Sequence, residues 1–151
     1  MLLSIKIYDL YYRQDCIPTL AVYHKSQWED SGPDRMALFH SRATFSDIPK
    51  TFVAMKDNNP VGFISLIKSN VPSQPDLTPW LVSLYVHEDF RQQGIGRALV
   101  DKCIEHASVA GFSKVYLYTS TAVQYYLNFG WVIVGEVEVF GKIKTILCNN
   151  V

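Results

Sequence analysis

The chain has 151 residues, of which 48% are hydrophobic and 19% charged, a balance that excludes a disordered chain and suits one globular domain with its own core. Lys plus Arg and Asp plus Glu count 14 each, so the net charge is zero; this excludes a globally basic nucleic-acid or membrane surface and makes any cationic site local. Cys16, Cys103 and Cys148 are odd in number and show no zinc-ligand spacing, as expected for reduced thiols in a cytoplasmic protein without bound metal. The first residues lack a basic segment followed by a long apolar run, so no signal peptide is expected.

In chain order, residues 3–8 alternate Leu3, Ile5 and Ile7 as a first strand. Residues 15–28 place Ile17, Leu20, Ala21, His24 and Trp28 at helical spacing, with Asp15 as the expected cap and Pro18 in the first turn. The Ser31–Gly32–Pro33 break can cap a second helix from Asp34 to about Ala43. The runs 51–56 and 61–68 flank Asp57, Asn58, Asn59 and Pro60 and predict a β-hairpin. Residues 69–79 hold three prolines and read as a loop. The nearly continuous apolar run 80–86, WLVSLYV, predicts a central strand covered on both faces.

A helix should follow to about Ala110, with Ile95, Leu99, Cys103 and Ala107 as its buried row and Gly111 at its end. Residues 114–119 predict a strand, 121–129 a short helix stopped by Gly130, and 131–140 with 142–149 a last strand pair around Gly141. Residues 115–135 carry no formal charge, a length that could span a bilayer, but their hydroxyls, amides and four tyrosines suit strand, helix and strand in a core instead of lipid. The expected order is β-α-α-β-β-β-α-β-α-β-β, an α/β sandwich with a mixed sheet.

The stretch HEDFRQQGIGRALV, residues 87–100, puts Gly94 and Gly96 at the start of that helix. A helix N-terminus presents unpaired N–H groups and a partial positive charge, which suits an anion such as a phosphate. The glycines remove Cβ atoms that would hinder approach, and Arg91 and Arg97 can add charge-assisted hydrogen bonds. The pattern is neither GxGxxG nor GxxxxGK[ST], and on spacing alone a plain turn with a solvated arginine explains it.

With its context, LYVHEDFRQQGIGRALV resembles the acetyl-coenzyme-A loop of the GNAT superfamily of N-acetyltransferases, whose motif R/Q-x-x-G-x-G/A is met by Arg91, Gly94 and Gly96. A second stretch, Ala122, Tyr125, Tyr126, Gly130 and Trp131, resembles the family signature A-x-x-[LF]-Y-x-x-x-G-[FYW]. The resemblance covers nearly the whole chain and is strongest between Trp80 and Trp131. It implies a mostly antiparallel mixed sheet with splayed central strands and helices on both faces. It also implies that the amides from Gln92, Gln93, Gly94, Ile95 and Gly96 to Arg97 hold the pyrophosphate of acetyl-CoA. The strand end Leu84, Tyr85 and Val86 would bond the pantetheine arm, and Thr119 would stand where many members carry Asn. Tyr126 would protonate the leaving thiolate, although the spacing alone reads Tyr125 and Tyr126 as core aromatics.

The implied reaction is direct acetyl transfer to a primary amine in a ternary complex, with no metal. Many members hold a Glu on the central strand as base, and WLVSLYV has none; His87, Glu88 and Asp76 are the neighbouring alternatives. The family's acceptor pocket maps to Tyr23, Trp28, Met36, Phe39, Trp80 and Phe140, although each taken alone reads as ordinary core or surface packing; Glu29, Asp30, Asp34 and Asp76 are acids that could attract a cationic amine, most of which read alone as solvated charges at helix ends. The acceptor would be a small amine or a peptide N-terminus, not nucleic acid or membrane, and homodimers are common in the family. The rival reading is a catalytically inactive acyl-CoA sensor or interaction module.

Overall fold

The chain order of strands and helices sets which residues can meet at a sheet edge. A computed structural model describes residues 4–29 and 34–151. Leu3, Asp30 and the 31–33 break lie outside the described residues. The elements are β1 (Ile5–Asp9), α1 (Ile17–Gln27), α2 (Arg35–Arg42), β2 (Lys50–Lys56), β3 (Asn59–Ile67), β4 (Trp80–Val86), α3 (Ile95–Val109), β5 (Lys114–Thr119), α4 (Val123–Leu127), β6 (Val132–Val139) and β7 (Lys142–Asn150). Their order is the expected one, with short 3-10 turns added at Leu10–Tyr12, Gln14–Cys16 and Glu88–Phe90.

Local chemistry explains most boundaries. Pro18 lies in the first turn of α1, where its missing N–H costs nothing, but Asp15 does not cap that helix. Its carboxylate instead takes two bonds from Arg13, at 3.1 Å each, and Cys16 occupies the cap position. Asp34 caps α2 by accepting from the Ala37 amide at 2.8 Å. The hairpin turn is tighter than expected: Lys56 pairs with Asn59, leaving Asp57 and Asn58 as its two turn residues. Pro60 then sits inside β3 at a register shift, where a residue without an amide proton is tolerated.

The seven strands form one sheet in the order β1-β2-β3-β4-β5-β7-β6. All neighbours are antiparallel except β4 and β5. Strand alternation divides the side chains between two faces. Phe52, Ala54, Ile64, Leu66 and Leu81 pack on the α3 face with Ile95, Leu99, Cys103 and Ala107, the row read from the sequence. Val53, Met55, Phe63 and Tyr85 pack on the other face with Ile17, Leu20 and Phe39 from α1 and α2. Helices therefore cover both faces. Among the described residues, no helix is long and apolar enough to cross a membrane.

The run 80–86 is a central strand, but it is not sealed throughout. Trp80, Leu81 and Tyr85 are buried, whereas Val82, Ser83 and Leu84 are half-buried. Between Phe63 and Ser65 the β3–β4 register slips, and Ser83 adopts φ +58. This is a bulge, which bends the strand. Beyond it the sheet and α3 come very close at Gly62. A Cβ there would lie 2.7 Å from the Tyr85 carbonyl oxygen and 3.3 Å from Leu99 Cδ1.

Gly62→Ala is expected to cost about 1–3 kcal/mol through overpacking against backbone. Urea unfolding should show a lower midpoint with an unchanged slope; an unchanged midpoint would contradict the close approach.

Candidate active site

The site begins where two parallel strands fail to stay paired. Strands β4 and β5 register at one pair, Trp80 and Tyr116, and the Tyr116 amide donates to the Pro79 carbonyl at 3.0 Å. Trp80 is fully buried, donates its indole N–H to the Leu77 carbonyl at 2.6 Å and packs against Tyr116 and Tyr118. From this pivot the strands part. A cleft of about 560 Å³ opens between Val82, Ser83 and Leu84 on one side and Leu117, Tyr118 and Thr119 on the other. It passes through the sheet, since Val100, Ile64 and Tyr126 line it on the α3 face and His24, Trp28 and Arg42 on the α1–α2 face.

The glycine stretch joins β4 to α3. After the strand, His87 Nδ1 accepts from the Asp89 amide at 3.2 Å and shapes the 3-10 turn. Arg91 then folds back, its Nε donating to the Val86 carbonyl at 2.8 Å with its guanidinium 5.9 Å from the Tyr85 ring centre. Gln92 has φ +62 and Gly94 φ +84, so the chain turns through the left-handed region twice before the helix. Gly94 occupies the N-cap of α3 and has no side chain to accept from the first turn. The amides of Ile95, Gly96 and Arg97 therefore have no partner within the helix. A Cβ on Gly96 would meet only Val86 Cγ2, at 3.7 Å, so packing does not demand glycine there. The absent Cβ leaves the amides open to a ligand.

The two arginines act less directly on a ligand than their motif positions suggest. Arg97 bonds Asp101 at 3.1 Å and lies 3.8 Å from the centre of the Phe129 ring, so its backbone amide, not its side chain, belongs to the open helix end. Arg91 holds the loop to the strand. Gln92 and Gln93 are exposed beside it. Of the strand-end residues, Leu84 lines the cleft, Tyr85 packs under α1 against Tyr23, and Val86 carries the carbonyl that anchors Arg91.

Thr119 lines the cleft with its hydroxyl engaged: Oγ1 accepts from the amides of Ala122 at 3.1 Å and Thr121 at 3.4 Å. It thereby holds the entry to α4, which carries Tyr126. Tyr126 is half-buried, edge-on to both Tyr125 and Trp131, and lines the cleft. Burial, with a smaller contribution from Tyr125, pushes its phenol up to about 12. Tyr125 is exposed, so the two tyrosines are not equivalent core aromatics.

The acceptor-side candidates divide between the cleft, the core and the surface. Trp28 lines the cleft, but Phe39 and Trp80 are buried in cores, and Tyr23 packs on Tyr85 and donates to the Pro60 carbonyl at 3.0 Å. Met36 and Phe140 are exposed. Glu29, Asp34 and Asp76 are exposed and do not line the cleft, and neither does Glu88 or His87. The charged side chains that do line it are Arg42 and Lys144. With His24, they are cleft residues that the sequence reading left without a role there. Arg42 closes α2 and Lys144 belongs to the last strand, and no local motif marks either one. Cys103 is fully buried with its thiol pushed up by burial, so it offers no nucleophile.

A family model described as "Acetyltransferase (GNAT) family" matches residues 7–131. The chain is 32% identical over 104 residues to N-acetyltransferase family 8 member 3 of Rattus norvegicus, a match over 60% of this chain and 46% of that protein. It therefore spans less than half the length of that curated relative. A crystal structure of an aminoglycoside 6'-N-acetyltransferase complexed with coenzyme A is similar with a TM-score of 0.79 at 17% identity, over 97% of this chain and 96% of that one. The crystal structure of Arabidopsis thaliana NAA60 with a bisubstrate analogue is similar with a TM-score of 0.75 at 15% identity, over 97% and 98% of the two chains. At these identities the two structures establish likeness of fold.

Two titrations follow. The phenol of Tyr126 should ionise only near pH 12, so the wild-type minus Tyr126→Phe phenolate difference should emerge above that of ordinary tyrosines; a step near pH 10 would place the ring in water. His24 is pushed down to about 4 by burial and by Arg42 and Arg35. Its unfolded value is about 6.5, so its contribution to stability is complete above that pH and is lost as pH falls towards 4. The fall in unfolding free energy over that window should be smaller in His24→Phe; equal falls would contradict the burial.

Proposed function

The chain belongs to the acetyltransferase (GNAT) family, and from that premise we propose that it moves an acetyl group from acetyl-CoA to a primary amine by direct attack in a ternary complex. The observation that carries this reading is a through-sheet cleft lined by Leu84, Thr119 and Tyr126 that reaches Val100 of α3, a helix whose N-terminus is uncapped. A diphosphate would take the amides of Ile95, Gly96 and Arg97, with Gln92, Gln93 and Gly94 supplying a loop that can close around it. The pantetheine arm would lie along Leu84 to Val86, where β4 has parted from β5. Thr119 would act chiefly by fixing α4, since its hydroxyl already accepts two amides.

In the proposed step, the neutral amine nitrogen attacks the thioester carbonyl carbon and a tetrahedral oxyanion forms. A strand-end amide of β4 supports the oxyanion. The carbon–sulfur bond then breaks, and sulfur leaves as thiolate. The nitrogen loses a proton and the sulfur gains one. A thiol ordinarily ionises near 8.5. At about 12, Tyr126 is a far weaker acid than that thiol. Its role is therefore to donate a hydrogen bond to the thiolate as charge develops, more than to surrender its proton for good. The described lining residues hold no carboxylate that could serve as base, and this supports a second reading, an acyl-CoA-binding sensor or interaction module without turnover. Release of free thiol in the presence of any amine separates the two.

Tyr126→Phe should lower kcat by about 10- to 1,000-fold with acetyl-CoA affinity nearly unchanged, the effect of losing a proton or hydrogen-bond donor. An unchanged kcat would remove Tyr126 from the mechanism. Gly94→Val forces a β-branched residue into a left-handed conformation and should abolish acetyl-CoA binding in titration calorimetry, with ATP as control. Retained affinity would sink the loop assignment.

A further inference from the structure

The part of the cleft on the α1–α2 face has a charge that the acetyl donor does not explain. Arg42, the last residue of α2, reaches towards the sheet, and its Nη1 lies 3.4 Å from Ser65 Oγ and 3.3 Å from Ser83 Oγ. These are long contacts to neutral hydroxyls, and Arg42 has no ion-pair partner among the described residues. Ser65 is fully buried and shares a 2.7 Å hydrogen bond with Thr51, so the hydroxyl platform beneath the guanidinium is fixed from below. Burial pushes Arg42 down to about 10, the response of a cation that lacks a counter-charge. Lys144 enters the same cleft from β7, with Nζ 3.1 Å from Ser120 Oγ. His24, beside them, is neutral at pH 7.

A half-buried guanidinium without an anion is costly, and a ligand carboxylate is its natural bidentate partner. We propose that the acceptor is a primary amine that also bears a carboxylate, with Arg42 binding the carboxylate next to Ser83 and Lys144 strengthening the same field. The inference rests on the acetyltransferase reading and names its substrate class. Ser83 is the bulged residue of β4 and lines the gap that opens beyond the Trp80–Tyr116 pair, so a carboxylate held there keeps its attached amine at the gap. A polycationic acceptor would instead meet two like charges in a confined space, which disfavours it.

The test uses the whole purified chain. Acetyl-CoA binding is measured first by calorimetry. Thiol release is then followed with the standard amino acids, each beside its α-amide, and with spermidine. At least one amino acid should exceed its amide by tenfold or more in kcat/KM. Arg42→Gln should erase that ratio through KM, Arg42→Lys should keep part of it, and acetyl-CoA binding should be unchanged in both. Should Arg42→Gln fail to fold, Lys144→Gln, whose side chain is half-exposed on a strand, should lower the ratio by about two- to threefold. Amides or spermidine turned over as well as the acids would overturn the inference and leave acetyl transfer standing. So would a ratio indifferent to Arg42, or acetyl-CoA bound with no acid turned over. Failure to bind acetyl-CoA would instead overturn the transferase reading, and this inference with it.

Discussion

The parting of β4 from β5 is the constraint on which the rest depends. Two parallel strands at the centre of a sheet would ordinarily share a ladder along their length. Here they share one register pair, and Trp80 is wedged at the point of divergence with its indole bonded to the Leu77 carbonyl. The bulge at Ser83 bends β4 away, and Thr119 turns the chain off β5 into α4. The gap therefore comes from three local devices, each with its own chemistry, and it leaves strand-edge polar groups unpaired in the middle of a folded protein. Such groups need a partner, and an extended ligand with its own amides is the partner that their spacing suits.

The proposed site has two ends, of which the second lines the gap. At one end, α3 starts at a glycine that cannot cap it, so its first amides face outward. At the other, α4 carries Tyr126 on its cleft-facing side with a phenol kept protonated by burial. The core of α3 against Gly62 fixes the distance between helix and sheet, because backbone there allows no side chain. The positive charge is local to these surfaces, in a chain whose net charge is zero.

Much of the fold was legible in the sequence because alternation and glycine placement act over short spans. The limits of β4 follow from a nearly continuous apolar run, those of β5 from the strand-like stretch 114–119, and the buried row of α3 from its spacing. The loop and Tyr126 were legible as motifs. What the sequence did not show depends on competition between neighbouring partners or on contacts between distant segments. Asp15 looks like a cap, but Arg13 takes its carboxylate. Arg97 looks like a phosphate ligand, but Asp101 and Phe129 hold it. Nothing local in the sequence marks Arg42, and only the packing of α2 over Ser65 and Ser83 brings it into the cleft. Phe39 and Trp80 hold pocket positions only by resemblance to the family, and they are core. In each case the residue type was informative and its partner, tens of residues away or in competition with another, was not.

The most direct test is a titration of the isotopically labelled chain with coenzyme A, followed by amide resonances in two-dimensional NMR. The account requires the largest shifts at Ile95, Gly96 and Arg97 and along Leu84 to Val86, the open helix end and the parted strand. Absence of shifts there, or shifts confined to the β6–β7 edge of the sheet, would contradict it.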